Sequence, residues 1–205
     1  MSNLVTEQTF LKYVAEHRMT VLLDNGVYRH LRFANPRSSN MSFEVVTWPN
    51  YLAYAGDMGS YVFSRLEDMF QFFRTPENYR SSKGDVLAIN PCYWGEKLQA
   101  HDHVDGYKKY SADLFRARIQ DWLDDRELVS PELLEAVKDE VLCYADEGED
   151  AARRAVHDFE HGDFQFHDFW EVDLKEHTGR YLWCCYALTW GIAQYDAHKA
   201  AQEAA

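Results

Sequence analysis

The sequence predicts an α+β fold in which the strands come first and the helices follow. Alternating apolar and polar residues with tight turns dominate residues 19–63, which is typical of an antiparallel meander. From about residue 107 onward, apolar residues recur at helical spacing. We therefore expect an N-terminal β-meander of four to five strands with flanking helices, then an all-helical C-terminal half packed around a buried last helix.

The first elements are a helix and a hairpin. Thr6 can cap a helix that carries an apolar stripe, and residues 19–23 then read as a strand. Asn25-Gly26 predicts a hairpin turn, because both residues tolerate positive φ. The next strand, residues 27–33, alternates cleanly. Its two predicted faces are Val27, Arg29, Leu31 and Phe33 on one side, and Tyr28, His30 and Arg32 on the other.

Three further strands complete the predicted meander. Residues 42–48 form the third strand, and Pro49-Asn50 turns the chain into a fourth at residues 51–55. Residues 61–63 add a short fifth strand. Apolar residues at helical spacing over residues 64–73 then predict a helix that covers the sheet.

The second half reads as helices. Tyr93 begins a short helix, and the chain is helical from about Tyr107 to its end. Ser130-Pro131 is a well-formed helix start, with a capping residue followed by proline at the first position. Gly148 ends that helix and residues 149–159 form the next. We divide the chain into an α/β meander part, residues 1–106, and a helical acidic part, residues 107–205, that together form one cooperative domain.

The last helix is predicted over residues 178–198 and contains the longest apolar run of the chain. Residues 181–192 are apolar on every side for 12 positions, whereas a membrane-spanning helix needs about 20. Arg180 and Asp196 bring charge to the two ends of the run. The run therefore predicts a helix buried in a protein core, and no membrane partner.

The negative charge is concentrated in one segment. The chain has a net charge of −13, and residues 1–100 contribute nothing to it, with 10 basic and 10 acidic residues. Residues 121–176 hold 5 basic and 19 acidic residues. Such a surface repels nucleic acid and attracts basic partners, so direct nucleic-acid binding is not expected. Two readings stay open: a solubilising helical face, or a surface that mimics nucleic acid or docks on a basic protein.

The cysteines predict a reducing compartment. None of the four forms a C-x-x-C pair, and Cys184 and Cys185 lie in the apolar run, so free thiols are expected. Cys92, beside Pro91, is expected to be the only accessible one. No basic-then-apolar leader begins the sequence, so we expect the protein in the cytoplasm of the cell that makes it.

Two histidine clusters are candidates for a divalent metal. His157 and His161 are one turn apart on a predicted helix, and Glu160, Asp163, His167 or Asp168 can supply a third ligand. The alternative is a polar helix end with no metal. The second cluster, in a predicted loop, is His101, His103 and Asp105. The sequence carries no phosphate-binding loop, dinucleotide fingerprint or serine-nucleophile motif.

Three stretches, residues 6–14, 61–70 and 183–192, resemble a family of uncharacterised accessory proteins of tailed bacteriophages and prophages of Gram-negative bacteria. Residues 90–98 fit the same resemblance. It implies a protein made inside an infected bacterium, and such small acidic proteins often block a host defence system, CRISPR effectors included. No catalytic residues are known for the family, so none is transferred.

The leading functional expectation is a binding protein without catalytic residues that engages a basic surface of a host bacterial protein, in an anti-CRISPR-like or other anti-defence role. The residues expected to bind the partner are Asp121, Trp122, Asp124, Asp125, Glu147, Glu149, Asp150 and Trp170. The alternatives are a metal-dependent hydrolase or nucleotide-processing enzyme built on His157, His161 and His167, and a protein that sequesters a signalling nucleotide.

Overall fold

A computed structural model describes residues 5–74, 87–124 and 129–204. It is α+β, with a six-stranded antiparallel sheet in the N-terminal half and helices in the C-terminal half, so the predicted fold class is confirmed. The chain divides into two compact units. The first, the sheet unit, comprises Met1–Tyr107 and His177–Ala205, and the second, the helical unit, comprises Lys108–Glu176.

The sheet unit begins with a capped helix and an ordered meander. Thr6 accepts a hydrogen bond from the Thr9 N–H and caps the first helix, as predicted. The strands follow in sheet order β1 to β6, each antiparallel to its neighbours. The elements are α1 (Glu7–Val14), β1 (Arg18–Asn25), β2 (Tyr28–Asn35), β3 (Ser38–Trp48), β4 (Tyr51–Gly56), β5 (Gly59–Ser64), α2 (Met69–Phe73), α3 (Pro91–Gly95) and β6 (Leu98–Ala100).

The helical unit is entered through a strand. The prediction that the chain is helical from about Tyr107 is wrong at its start, since Lys108–Tyr110 form β7, which pairs with β8. Between these strands the helices surround a separate apolar core. The elements are β7 (Lys108–Tyr110), α4 (Ala112–Asp124), α5 (Pro131–Glu140), a 3₁₀ helix (Leu142–Glu147), α6 (Glu149–Asp158), a short 3₁₀ helix (Phe169–Glu171) and β8 (Lys175–His177).

The sheet buries one face. Leu31, Val45, Tyr54 and Tyr61 are cross-strand neighbours on four successive strands, and each is at most 1% exposed. The predicted alternation of β2 is confirmed, with Arg29, Leu31 and Phe33 buried and Tyr28 exposed.

The last helix, α7 (Gly179–Glu203), packs with the sheet. Thr178 caps it by accepting from the Tyr181 N–H. Trp183, Leu188 and Ile192 belong to the same apolar cluster as the sheet residues. The close approach requires Gly191, where a Cβ atom would lie 3.1 Å from the Phe33 ring. The expectation that the helical half packs around this helix is therefore corrected: residues 177–205 group with the sheet, and the helical unit has a core of its own.

A charged network lies at one edge of the sheet core. Arg29 on β2 is 8% exposed and donates two hydrogen bonds to Asp68, at 2.8 and 3.1 Å. Its guanidinium lies over the Phe70 ring at 4.6 Å. Tyr195 of α7 contributes its hydroxyl, which accepts from Arg29 at 3.4 Å and donates to Asp24 at 2.8 Å. The network joins β1, β2, α2 and α7.

Two short helices differ from the prediction. The helix predicted over residues 64–73 is only Met69–Phe73, because Ser64 belongs to β5 and Asp68 caps the helix start. The short helix expected to begin at Tyr93 starts at Pro91, with Asn90 as its cap, and Leu98 already belongs to β6.

All four cysteines are free. Cys184 and Cys185 are fully buried, and burial raises the pKa of both thiols. Cys92 is exposed, as expected, but so is Cys143, which the 3₁₀ helix Leu142–Glu147 turns outward. Among the described residues, no helix combines the length and apolarity that crossing a membrane requires.

Candidate functional site

An open cleft of about 460 Å³ lies in the helical unit, where α5, the 3₁₀ helix Leu142–Glu147 and α6 meet. Four carboxylates line it: Asp139 and Glu140 from the end of α5, Glu147 from the end of the 3₁₀ helix, and Asp158 from the last turn of α6. We call this cleft, defined by these four carboxylates, the acidic cleft.

The backbone of the surrounding elements follows from the sequence. Ser130 accepts from the Leu133 N–H and starts α5, which buries Leu133 and Val137. The helix ends at Glu140, and Val141 and Ala145 then pack into the core through the 3₁₀ helix. This tight helix tilts Tyr144 and Glu147 toward solvent.

Gly148 starts the third element of the cleft. Its φ of 102° is a backbone conformation that favours glycine, and it redirects the chain into α6. Ala152 and Val156 anchor α6 in the core of the helical unit. The adjoining positions Ala151 and Ala155 then line the cleft, where their small side chains leave room between the helices.

Five basic residues of the helical unit are paired outside the acidic cleft. Arg116 pairs with Asp113 and Asp146, and Arg118 pairs with Asp121. Further pairs join Arg153 and Lys175 to Glu149 and Lys108 to Asp173. The hydrogen bond from Lys108 is the main cause that lowers the pKa of Asp173, while burial opposes it.

The four carboxylates of the acidic cleft form no ion pair with a described Lys or Arg side chain. Within the described ranges, Asp139, Glu140 and Glu147 form no ion pair, and Asp158 contacts only the neighbouring His157, at 2.8 Å. Close carboxylates without cationic partners produce a negative potential that attracts cations.

Two other side chains give the cleft further chemistry. Tyr144 is 41% exposed and presents an aromatic ring beside the carboxylates, an arrangement that suits an ammonium or guanidinium group. Arg154 lines the same cleft and forms no ion pair with any described residue, so its guanidinium is available to a carbonyl or carboxylate. The cleft thus offers several anionic acceptors and the guanidinium donor of Arg154.

The predicted partner-binding residues are scattered over the unit. Glu147 lines the acidic cleft, and Asp150 is exposed on the first turn of α6. Glu149 is occupied by Arg153 and Lys175, and Asp121 by Arg118. Two further residues complete the set: Asp124 accepts from Gln120, and Asp125 lies outside the described residues.

The two tryptophans predicted to anchor a partner differ in their exposure. Trp170 is 72% exposed, as an anchor requires. Trp122 is partly buried and packs against Phe164 and Phe166, with ring centroids 5.3 and 4.7 Å apart. Trp122 therefore packs against the core of the helical unit and is less accessible than Trp170.

The structure does not place His157 and His161 on one face of a helix, as the predicted metal cluster requires. The helix α6 ends at Asp158 and Phe159 is extended, so His161 is not one turn beyond His157. His161 instead forms a backbone bridge with Phe164, and Asp168 adopts a left-handed conformation with φ 56°. Across residues 5–74, 87–124 and 129–204, no three His, Cys, Asp or Glu side chains, His167 among them, are arranged to hold a metal.

The second histidine cluster has structural roles. Asp102 accepts from the N–H groups of Val104 and Asp105. Burial would raise the pKa of Asp102, but these bonds outweigh it, so the pKa lies below its usual value. Asp105 faces Arg180 at 3.7 Å, and His101 bonds the Asp102 carbonyl. The turn is organised by its own hydrogen bonds.

Comparisons with known proteins return no match: no protein-family model, no curated protein and no solved structure matches this chain.

Sequence reasoning missed most of the acidic cleft. Asp139, Glu140, Tyr144 and Arg154 were not singled out, because their convergence depends on the 3₁₀ helix between α5 and α6. The available signal was the absence of basic residues from the 139–150 segment, which holds six acidic side chains.

Proposed function

We propose that this chain is a phage-encoded accessory protein that binds a basic segment of a host bacterial protein in the acidic cleft and thereby inhibits an antiviral defence system. The binding takes place in the cytoplasm of the host bacterium. The single observation that carries the proposal is the cleft, whose lining brings together four carboxylates that form no ion pair with any described Lys or Arg side chain.

The charge distribution supports a basic partner. The helical unit holds 9 basic and 20 acidic residues, whereas the rest of the chain is close to neutral, with 12 basic and 14 acidic. A negative surface confined to one unit speeds association with a positive surface and orients it.

The cleft chemistry supports a protein segment as the occupant. Lys or Arg side chains can pair with Glu140 and Glu147 while their stems pack on Ala151 and Ala155. Arg154 can donate to a main-chain carbonyl of the same segment. The family resemblance supports the phage setting and the anti-defence role.

The test is affinity capture of the tagged protein from nuclease-treated bacterial lysate at low and high salt. Three proteins are compared: the wild type, a cleft variant with Glu140→Gln and Glu147→Gln, and a matched control with Glu135→Gln and Glu176→Gln. The control removes the same charge from exposed positions that do not line the cleft.

We expect one stoichiometric partner with the wild type and the control, released by salt and lost with the cleft variant. Equal capture by the cleft variant and the control would refute the cleft as the binding site. No captured protein at either salt would refute the proposed function. A metal-dependent activity is not proposed as a second function, because no arrangement of the described residues favours it.

A further inference from the structure

Trp170 is the most exposed large apolar side chain among the described residues, at 72%. Its backbone is nevertheless held in place. Arg153 donates to the Trp170 carbonyl at 3.3 Å and to the Val172 carbonyl at 2.9 Å, and it also bonds Glu149 at 3.0 Å. An exposed tryptophan on a fixed backbone is characteristic of residues that dominate binding energy at interfaces.

A small notch lies beside this indole. It has a volume of about 70 Å³ and is formed by Val156, Phe166 and Phe169 together with Trp170, Arg153 and His157. The hydrogen-bonding groups of Arg153 are already used within the helical unit, so the notch does not offer a free cation to an anionic ligand. Its walls suit an apolar group.

The volume limits the occupant. A cavity of about 150 Å³ holds a benzene ring. A notch of about 70 Å³ therefore admits the branched end of a leucine, isoleucine or valine side chain but not an aromatic ring. The residues that flank Trp170 in the chain include Asp168 and Glu171, both exposed, so a basic segment is again the complementary partner.

The notch and the acidic cleft lie on opposite sides of one helix. Ala151, Ala155 and Asp158 of α6 line the cleft, whereas Val156 and His157 line the notch. At 100° per residue these two sets form separate stripes, and the exposed Asp150 lies between them. A segment that occupies both must cross α6, a distance of about 10–12 Å, which an extended chain spans in about three to four residues.

We propose that the notch beside Trp170 receives an aliphatic side chain of the same basic segment that fills the acidic cleft, about three to four residues away from its Lys or Arg. The inference rests on the proposed function and specifies the partner: an extended segment with leucine, isoleucine or valine at that distance from a basic residue. Trp170 covers the aliphatic group, and the cleft carboxylates bind the cation.

The test uses three dye-labelled peptides and fluorescence anisotropy with the full-length protein. All carry the same lysines and differ only at one position about four residues before the first lysine, which is leucine, glycine or phenylalanine. Burying the leucine should make that peptide bind about tenfold tighter than the glycine peptide. The phenylalanine peptide should gain no such advantage.

Two variants separate the contribution of the notch from that of the acidic cleft. Trp170→Ala should remove the preference for leucine while leaving the salt-dependent binding of all three peptides. Its side chain is 72% exposed, and circular dichroism checks that the variant is folded. The cleft variant with Glu140→Gln and Glu147→Gln should weaken all three peptides but keep the preference for leucine.

Equal affinities of the leucine and glycine peptides for the wild type would overturn the inference, as would a preference that survives Trp170→Ala, or binding of none of the peptides. If the peptides bind in a salt-dependent way that the cleft variant abolishes, without a preference for leucine, the proposed function stands and only the notch is refuted. If the cleft variant binds the peptides with the same affinity and the same salt dependence as the wild type, and still prefers leucine, the cleft is refuted instead.

Discussion

Replacing Arg29 with methionine should destabilise the sheet unit more than any other single charge removal on β2. The side chain is buried and makes two hydrogen bonds to Asp68, at 2.8 and 3.1 Å. Its removal leaves the Asp68 carboxylate, which is only 17% exposed, without its cation.

The expected loss of folding free energy is about 3 kcal/mol. Breaking a fully buried ion pair by removing one partner costs about 3–5 kcal/mol. The lower end applies because Asp68 retains some solvent contact and still accepts from the Phe70 N–H. Loss of the cation–π contact with Phe70, at 4.6 Å, adds about 1 kcal/mol, which the apolar packing of methionine partly offsets.

The effect should depend on pH. Burial would raise the pKa of Asp68, but the hydrogen bonds from Arg29 and the Phe70 N–H outweigh it and hold the pKa below its usual value. A depressed folded-state pKa contributes stability above the unfolded value near 3.9, and this is lost as the pH falls through the folded value. Without Arg29, the pKa of Asp68 rises. The difference in unfolding free energy between the variant and the wild type should therefore narrow as the pH falls below about 4.

Urea unfolding followed by circular dichroism measures this free energy. The matched control is Arg32→Met on the same strand, whose side chain is 54% exposed and 3.9 Å from Glu44, and which should cost at most about 0.5 kcal/mol. Adding Asp68→Asn to Arg29→Met should recover about 1 kcal/mol or more of unfolding free energy. Asparagine still caps α2, and the unpaired charge of Asp68 is removed. A loss below about 1 kcal/mol for Arg29→Met, or no recovery in the double variant, would refute the reasoning.

Three further outcomes are expected. Gly191→Val should destabilise the fold by about 1–3 kcal/mol in thermal or urea unfolding, because a Cβ atom there lies 3.1 Å from the Phe33 ring. The control is Ala193→Val, at an exposed position on the same helix. Equal losses of stability in the two variants would contradict the packing argument. Ser130→Ala should cost about 1 kcal/mol by removing the cap of α5, with Ser130→Asp restoring most of it, and no change would mean that the cap is unimportant. A thiol reagent should modify Cys92 and Cys143 quickly in the native protein, because both are exposed. Cys184 and Cys185 should react only after unfolding, and rapid modification of these two in the native protein would contradict their burial.

Local signals in the sequence predicted much of the fold. The hairpin near Asn25-Gly26, the alternation of β2 and the Ser130 cap each depend on a few neighbouring residues and are confirmed. The two turn residues of the hairpin are Gly26 and Val27, because Asn25 still pairs with Tyr28, and Gly26 has the positive φ. The predicted helix over residues 64–73 failed because Asp68, the cap of the shorter helix, outweighed the apolar spacing.

Contacts between residues that are far apart in the sequence could not be predicted from local patterns. The pairing of Arg29 with Asp68 spans 39 positions, and no local pattern indicates it. The spacing of His157 and His161 suggested one helical face, but the chain becomes extended at Phe159. The charge excess indicated the unit that contains the acidic cleft, whereas the cleft itself depends on the 3₁₀ helix that lies between Glu140 and Glu147.

The most direct test of the account is the salt dependence of affinity between the purified protein and its captured partner. The wild type should bind with an affinity that falls steeply as salt is raised, because unpaired carboxylates attract the partner. The cleft variant with Glu140→Gln and Glu147→Gln should bind more weakly and with a flatter dependence, and the control with Glu135→Gln and Glu176→Gln should keep most of the wild-type affinity. Identical affinities and salt dependences for the cleft variant and the control would contradict the central claim.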